Sequence, residues 1–215
     1  MPEQCAELAY ERNKMKNDYE IIPLPKKEWK GTPIPMVTES EEYYDVHIEK
    51  QIDGYTVSLR KKKAQPPIRH TPEEYDFPDR LYQEHWEKAK AWGIVENING
   101  RKTITACIET CPEEWSNRLM VTELWVHEKL RRQDIGHRLM EIAKQQAREE
   151  KRRALILETQ SCNVNAIGFY LHEGFELIGF DSCCYTNHDI SRREVRLDLG
   201  ILFEGFPEGK RFLES

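Results

Sequence analysis

The sequence predicts an α/β fold in which strands and helices alternate in the middle of the chain and hairpins lie at both ends. Strict alternation of apolar and polar residues over 44–59 and 194–203 is typical of strands. Apolar residues at helical spacing over 135–151 predict an amphipathic helix. The order strand, helix, strand, helix and two strands from residue 118 onward then favours an α/β arrangement.

The composition limits the class of protein. A chain of 215 residues is one generous domain, and 33% of its residues are charged, against about 25% in an average protein. No stretch approaches the ~20 apolar residues of a membrane-spanning helix. The first residues lack the apolar core of a signal peptide, so we expect a cytoplasmic protein.

Charge and cysteine content argue against nucleic-acid and metal sites. A net charge of −6 repels phosphate backbones, and the basic run Arg60-Lys61-Lys62-Lys63 is interpreted as a solvated strand end. The six cysteines form no CxxC pair and no disulfide framework. We therefore expect reduced thiols, no bound metal, no nucleic-acid partner and no membrane partner.

The first half of the chain is predicted as an arm followed by hairpins. Residues 1–42 contain four prolines within 23–35, which exclude a long helix or central strand, although an edge strand fits near 20–24. Asp53-Gly54 predicts the turn of a hairpin over 44–59, and the segment from the basic run to Pro78 reads as a loop. A short helix is expected after Pro78, opened by Asp79. Strands at 92–96 and 102–110 are expected around a turn at 97–100.

The second half contains the predicted α/β segment. Expected here are strands at 118–127 and 154–157, helices at 135–151 and 163–172, and strands at 175–185 and 194–203. Gly174 matches a helix C-cap. The strand at 194–203 is interpreted as an edge strand that pairs between subunits, which suggests a homodimer.

The segment from Arg131 to Gly136 joins a strand to a helix N-terminus. Unpaired backbone N–H groups and partial positive charge at such a terminus bind phosphates, and Gly136 allows close approach to the backbone. An ordinary helix entrance with a small packing residue is the alternative. The sequence contains neither a P-loop motif nor the glycine pattern of a dinucleotide-binding Rossmann unit.

Two motifs resemble those of the GNAT superfamily of N-acetyltransferases. Arg131-x-x-Asp134-x-Gly136 is similar to the acetyl-CoA loop of that family. Asn163-x-x-Ala166-x-x-Phe169-Tyr170-x-x-x-Gly174-Phe175 is similar to a second family signature. The resemblance implies a mixed, mostly antiparallel sheet flanked by helices. It divides the chain into an N-terminal arm (1–42), an N-acetyltransferase domain (43–205) and a C-terminal tail (206–215). The stretch Leu157-Glu158-Thr159-Gln160, with Asp181, Tyr185 and Asn187, most resembles the streptothricin acetyltransferase branch.

The resemblance assigns roles to individual residues. Glu123 is the expected base, and its apolar neighbours Val121 and Leu124 favour a raised pKa. Tyr170 is the expected acid that protonates the departing sulfur of CoA. The expected acetyl-CoA contacts are Leu124, Trp125, Val126, Arg131, Arg132, Gln133, Asp134, Ile135, Gly136, His137, Asn163, Phe169 and Tyr170.

One departure from the family pattern keeps a second hypothesis open. Asp134 lies where the family prefers glycine, and we interpret it as a helix N-cap that keeps its carboxylate away from the pyrophosphate. The first hypothesis is an acetyltransferase for a primary amine, on a small cationic molecule or on a protein. The second is a CoA-binding regulatory or interaction module with little catalysis.

Overall fold

In a computed structural model, the protein is described for residues 19–74 and 79–206. Residues 1–18, 75–78 and 207–215, and with them Cys5 and most of the predicted tail, lie outside the described residues. The strands are β1 (Ile22–Pro23), β2 (Thr38–Lys50), β3 (Tyr55–His70), β4 (Lys90–Ile98), β5 (Arg101–Glu113), β6 (Arg118–Val126), β7 (Ala154–Gln160), β8 (Glu176–Asp181) and β9 (Arg196–Leu202). The α-helices are α1 (Lys26–Trp29), α2 (Ile135–Glu149), α3 (Val164–His172) and α4 (Asp189–Arg192).

Seven strands form one sheet in the order β1-β4-β5-β6-β7-β9-β8, in which β6 and β7 pair in parallel and all other neighbours pair antiparallel. Helix α2 packs on one face and buries Leu139, Ala143 and Ala147, as the helical spacing predicts. The predicted α/β fold with a mostly antiparallel sheet is confirmed. No helix among the described residues is both long and apolar enough to span a membrane.

The described N-terminal segment contacts both faces of the sheet, with Tyr19 and Ile21 on the α2 side and the residues from Leu24 onward on the other side. Strand β1 pairs with β4 at the sheet edge, which confirms the edge strand expected near residues 20–24. Leu24 and Ile34 are buried with Leu81, Tyr82 and Trp125 in a second apolar cluster. Strand β2 begins at Thr38, inside the stretch predicted as an arm.

Strands β2 and β3 form the predicted hairpin, which is longer than expected. The loop predicted after the basic run is wrong for residues 64–70, because β3 continues to His70. The pairing passes from Glu42↔Lys63 to Ser40↔Ile68. The strand thus accommodates its prolines in an irregular stretch that makes no regular pairs.

The helix predicted after Pro78 is wrong over the described residues 79–89, which form turns. Two backbone N–H groups in this segment donate to acceptors that are distant in sequence. Leu81 N–H donates to the carbonyl of Thr32, and Tyr82 N–H donates to the carboxylate of Glu109. Tyr82 has a positive φ of 58°, which ends any helical path.

The C-terminal strands are shorter than predicted. Helix α4 lies between β8 and β9, and Cys183 and Cys184 are exposed there as free thiols. The prediction that the last strand is a sheet edge is wrong, since β9 lies between β7 and β8 and β8 is the edge. Intersubunit pairing through the last strand therefore loses its structural basis.

Candidate active site

A gap between β6 and β7 organises the candidate site. The two strands pair only from Arg118↔Ala154 to Val121↔Leu157. Thr122 is an extra residue in β6, since Val121 pairs with Thr110 while Glu123 pairs with Glu109. Such a bulge bends a strand. Beyond it β7 pairs with β9 alone, and the β7 side of β6 carries no strand.

The predicted CoA contacts Leu124, Trp125 and Val126 lie on this unpaired stretch. Leu124 and Val126 pack on the α2 side of the sheet, whereas Trp125 is buried in the cluster on the opposite side. His127 N–H donates to Thr105 on β5. By strand alternation, the backbone groups of Leu124 and Val126 face the gap. The stretch therefore presents the backbone edge that an extended pantetheine arm needs.

Glu123 lies beside the gap on the face opposite α2. Its side chain is buried and accepts a hydrogen bond from Gln83. Burial, together with the charges of Asp79 and Glu109, raises the pKa of Glu123 to about 9. The sequence predicted a raised pKa from the apolar neighbours of Glu123, and the direction agrees. Negative charges from another strand and from a loop add to the effect of burial.

Glu109 is a residue that the sequence interpretation missed. Its side chain is 0% exposed, and it faces Glu123 across β5 and β6. Its two oxygens accept hydrogen bonds from Tyr82 N–H (2.6 Å) and Thr122 Oγ1 (2.8 Å). A glutamate within the apolar run of β5 was the available signal, because an isolated charge in a buried strand needs a specific partner.

Tyr170 lies on α3, near enough to Glu123 that the carboxylate charge and burial both raise the pKa of the phenol. Its ring packs against Phe169 and Phe175, with centroids 5.6 and 5.9 Å away. The high pKa keeps the phenol protonated at neutral pH. The Glu123 carboxyl and the Tyr170 phenol are thus close enough to interact electrostatically.

The N-terminus of α2 adjoins the end of β6. Arg131 and Arg132 are exposed there, and Arg131 Nε donates to the Val126 carbonyl at 3.2 Å. Gln133 Nε2 donates to the Lys129 carbonyl at 2.7 Å. Arg138 is the first residue of the helix whose N–H donates to a backbone carbonyl, that of Asp134. The amides that precede it, from Ile135 onward, are those a helix offers to an anion.

Asp134 does not act as the predicted N-cap. Its side chain makes no capping hydrogen bond, and its backbone is left-handed, with a φ of 67°. Aspartate tolerates this conformation better than most residues. Glycine adopts this conformation without a steric penalty. The carboxylate remains at the exposed helix N-terminus.

Gly136 contributes to packing between helices. A Cβ added there would meet the ring of Phe169 at 3.4 Å, so Gly136 lies where α2 contacts α3. Asn163 caps α3 by accepting from Ala166 N–H at 3.4 Å, as expected. Gly136 and Phe169, two of the predicted cofactor residues, are therefore neighbours in the structure.

His137 belongs to an ion network on the surface of α2. Its Nδ1 lies 3.0 Å from Glu173, whose other oxygen accepts from Lys144 Nζ at 2.7 Å. The possible ligand atoms of His137, Glu141 and Glu173 lie within 4.8 Å of one another, a spacing that suits a cation. The ammonium of Lys144 already supplies the positive charge that the two carboxylates require.

On the face that carries Glu123, a cavity of about 260 Å³ lies along β6, β7 and β9. Met120 and Ile156 supply apolar lining, and Glu158, Arg196 and Asp198 supply charge. Tyr185 lies close enough to Glu158 that the carboxylate charge helps to raise the pKa of the phenol. Glu158 and Tyr185, two residues that carry the streptothricin acetyltransferase resemblance, thus interact electrostatically.

Comparison with known proteins gives a consistent result. The model of the Acetyltransferase (GNAT) family matches residues 59–175. A nourseothricin acetyltransferase structure is 23% identical and superposes with a TM-score of 0.64, covering 86% of this chain and 98% of its own. A protein of Bacillus anthracis str. Ames proposed to be a streptothricin acetyltransferase, solved with acetyl coenzyme A, is 20% identical with a TM-score of 0.62. That match covers 87% of this chain and 98% of the other. At these identities the likeness is one of fold.

Proposed function

Because the chain belongs to the GNAT acetyltransferase family, we propose that it transfers acetyl from acetyl-CoA to a primary amine of a small cationic molecule. The observation that supports this proposal most strongly is the buried Glu123 carboxyl beside the gap, with the Tyr170 phenol near it. Net negative charge and the carboxylates of Asp79 and Glu158 on the same side favour a cationic acceptor.

The residues around the gap fit an acetyl-CoA molecule. The edge of β6 from Leu124 to Val126 would hold the pantetheine arm, and the N-terminus of α2 with Arg131 and Arg132 would hold the pyrophosphate. The thioester supplies an activated acetyl carbon when it is bound there.

The protein residues then handle the protons. An alkylammonium has a pKa of about 10, so it must lose a proton before its nitrogen can attack. Glu123, in its ionised form, takes this proton directly or through water. As the nitrogen–carbon bond forms and the carbon–sulfur bond breaks, Tyr170 gives its proton to the sulfur. The nitrogen releases its second proton to solvent as the amide forms, and solvent later reprotonates Tyr170 and takes the proton from Glu123.

The test is an acceptor screen. The purified chain is mixed with acetyl-CoA and a panel of monoamines, polyamines, nourseothricin and lysine-containing peptides, and thiol release is followed. We expect turnover with small cations, and a drop of about 10²-fold or more in kcat for Glu123→Gln and Tyr170→Phe. The matched controls Glu176→Gln and Tyr55→Phe, at exposed positions, retain wild-type rates.

Other outcomes of the screen are informative. Equal turnover by the Glu123 and Tyr170 variants would refute the assigned roles. Acetylation of peptides alone would make the acceptor a protein. Thermal stabilisation by CoA without turnover on any amine would favour a binding module.

A further inference from the structure

A second buried carboxylate lies directly behind the proposed base, and the proton transfers described above do not use it. Glu109 and Glu123 are opposite each other in the β5–β6 pairing, 0% and 7% exposed. Residues opposed in this way have Cβ atoms about 5 Å apart. Two carboxylates at that separation in a buried site do not ionise independently.

The surroundings of the pair decide which member ionises first. Burial raises the pKa of Glu109, but three groups oppose this rise. Tyr82 N–H and Thr122 Oγ1 each donate a hydrogen bond to one of its oxygens, and the positive charge of Lys26 acts on it. Both hydrogen bonds favour the anionic form. The further titratable groups near it, Cys107, Cys111 and Tyr82, have pKa values raised by burial, so they carry no charge at neutral pH.

Glu123 has fewer groups that favour its anion. It accepts from Gln83, but Asp79 and Glu109 both place negative charge near it. Cys107 and Tyr170, the remaining titratable groups that face it, have pKa values raised by burial and stay neutral. The first negative charge of the pair therefore belongs to Glu109, and Glu123 holds the proton.

The partners of Glu109 also belong to the framework of the site. Thr122 is the bulge residue that opens the gap between β6 and β7. Tyr82 has an unusual positive φ and precedes Gln83, the residue that donates to Glu123. A strained backbone held by a buried carboxylate is typical of functional sites. The Glu109 side chain thus holds both the bulge at Thr122 and the turn at Tyr82 in place beside Glu123.

We propose that Glu109 is a positioning residue for acetyl transfer, which acts through Glu123 by its fixed negative charge and by holding Thr122 and Tyr82. The proposal rests on the proposed function, in which Glu123 is the base. In this arrangement Glu109 does not touch the acceptor. It determines the pH at which Glu123 becomes available and directs the carboxyl toward the gap.

The test replaces Glu109 by glutamine and follows two pH titrations. One is kcat/KM for an amine acceptor found in the screen. The other is the infrared carbonyl band of the protonated Glu123 carboxyl, identified by its loss in Glu123→Gln, which needs no turnover. Removing the charge of Glu109 should move both midpoints to lower pH by about one unit or more. Glu176→Gln, on the exposed edge strand β8, is the matched control and should leave both midpoints unchanged.

A second variant tests the proposal should Glu109→Gln fail to fold. Glu109→Met also removes the charge, with a side chain of similar length that needs no hydrogen-bond partner. The Glu123 midpoint should then fall by a similar amount. If the infrared midpoint stays within 0.2 unit of wild type in every folded variant, the proposal is wrong. If the infrared band shifts while no amine is acetylated, the electrostatic coupling stands and the proposed function fails.

Discussion

The Glu123 carboxyl, with a pKa of about 9, predicts an alkaline activity profile. The base must be ionised to accept a proton, so kcat/KM should rise with pH up to about 9. A bound ammonium favours the carboxylate, which should place the corresponding rise in kcat at lower pH. The measurement is a pH series of thiol release at limiting and saturating amine. A profile that is flat from pH 6.5 to 9 would contradict the prediction.

The same residue should lower the stability of the fold. The pKa of Glu123 is raised from 4.5 to about 9, so between these values the folded state holds a proton that the unfolded chain has lost. The free energy of unfolding therefore falls as pH rises through that window. Glu123→Gln should raise it by about 1–3 kcal/mol at pH 8, in urea titrations, and by less at pH 5. A variant less stable than wild type at pH 8 would show that Glu123 is instead stabilised as an anion.

Asp134 combines a left-handed backbone with a carboxylate at the helix N-terminus. Asp134→Gly should tighten CoA binding by about 2- to 10-fold at low salt, because it removes a negative charge near the bound pyrophosphate. Asp134→Asn, which keeps the size and tolerates the same backbone conformation, should do likewise. Calorimetric titration with CoA at two salt concentrations measures both effects. Weaker binding by both variants would mean that the carboxylate contributes to the site.

At the level of single residues, the sequence predicted Glu123 and Tyr170 but not Glu109. Glu123 lies on a strand that leads into a recognisable loop, and its apolar neighbours are adjacent in sequence. Glu109 derives its significance from Tyr82 and Thr122, which are distant from it in sequence. Sequence patterns report neighbours along the chain, so a contact across strands gives no such signal.

At the scale of elements, Gly136 lies where α2 contacts α3. A substitution there distinguishes a role in helix packing from a role in cosubstrate binding. A Cβ there would contact Phe169 at an ordinary van der Waals distance, and alanine favours a helix over glycine by up to about 1 kcal/mol. Gly136→Ala should therefore change stability by less than about 1 kcal/mol in thermal unfolding. If the glycine also provides room for the pyrophosphate, the variant should bind CoA more weakly, which isothermal titration measures. A large loss of stability would show that packing alone requires the glycine.

Elements with strong periodicity were predicted well, and elements defined by tertiary hydrogen bonds were not. Apolar residues alternate with polar ones or form short runs in strands β4 to β7, and they recur at helical spacing in helices α2 and α3. These elements also end at turn residues. The segment 79–89 has apolar residues at helical spacing, but its donors bond to Thr32 and Glu109. Strand β3 continues through two prolines because its partner β2 holds it on both sides of the irregularity.

In the whole molecule, His70 connects the β2–β3 hairpin to the main sheet. Its Nδ1 lies 3.0 Å from Glu74, and its Nε2 lies 3.6 Å from both Glu194, just before β9, and Cys162 Sγ, just before α3. His70→Gln should lower the free energy of unfolding by about 1–2 kcal/mol and expose the hairpin to trypsin at Lys50. Chemical denaturation and limited proteolysis measure these effects. His47→Gln, at an exposed position of β2, is the matched control. Unchanged proteolysis in the His70 variant would show that the apolar contacts of Val46 and Leu59 are sufficient.

Across the whole chain, the fold class and the family motifs were readable because they lie in contiguous segments. The packing of residues 19–37 on the sheet was not, since prolines and isolated apolar residues carry no periodic signal. The inner position of β9 was not readable either. It depends on the path of the chain after α4, which inserts β9 between β7 and β8.

The extra residue at Thr122 has a consequence for hydrogen exchange. It ends the pairing of β6 and β7 after four residue pairs, so the middle of the sheet contains amides that no neighbouring strand protects. An acetyl-CoA molecule lying along β6 would act there as a substitute strand. Free energy of binding and free energy of folding would then be linked, and exchange at Leu124 and Val126 should slow in proportion to cosubstrate saturation. The gap in strand pairing would thereby link cosubstrate binding to the local stability of the sheet.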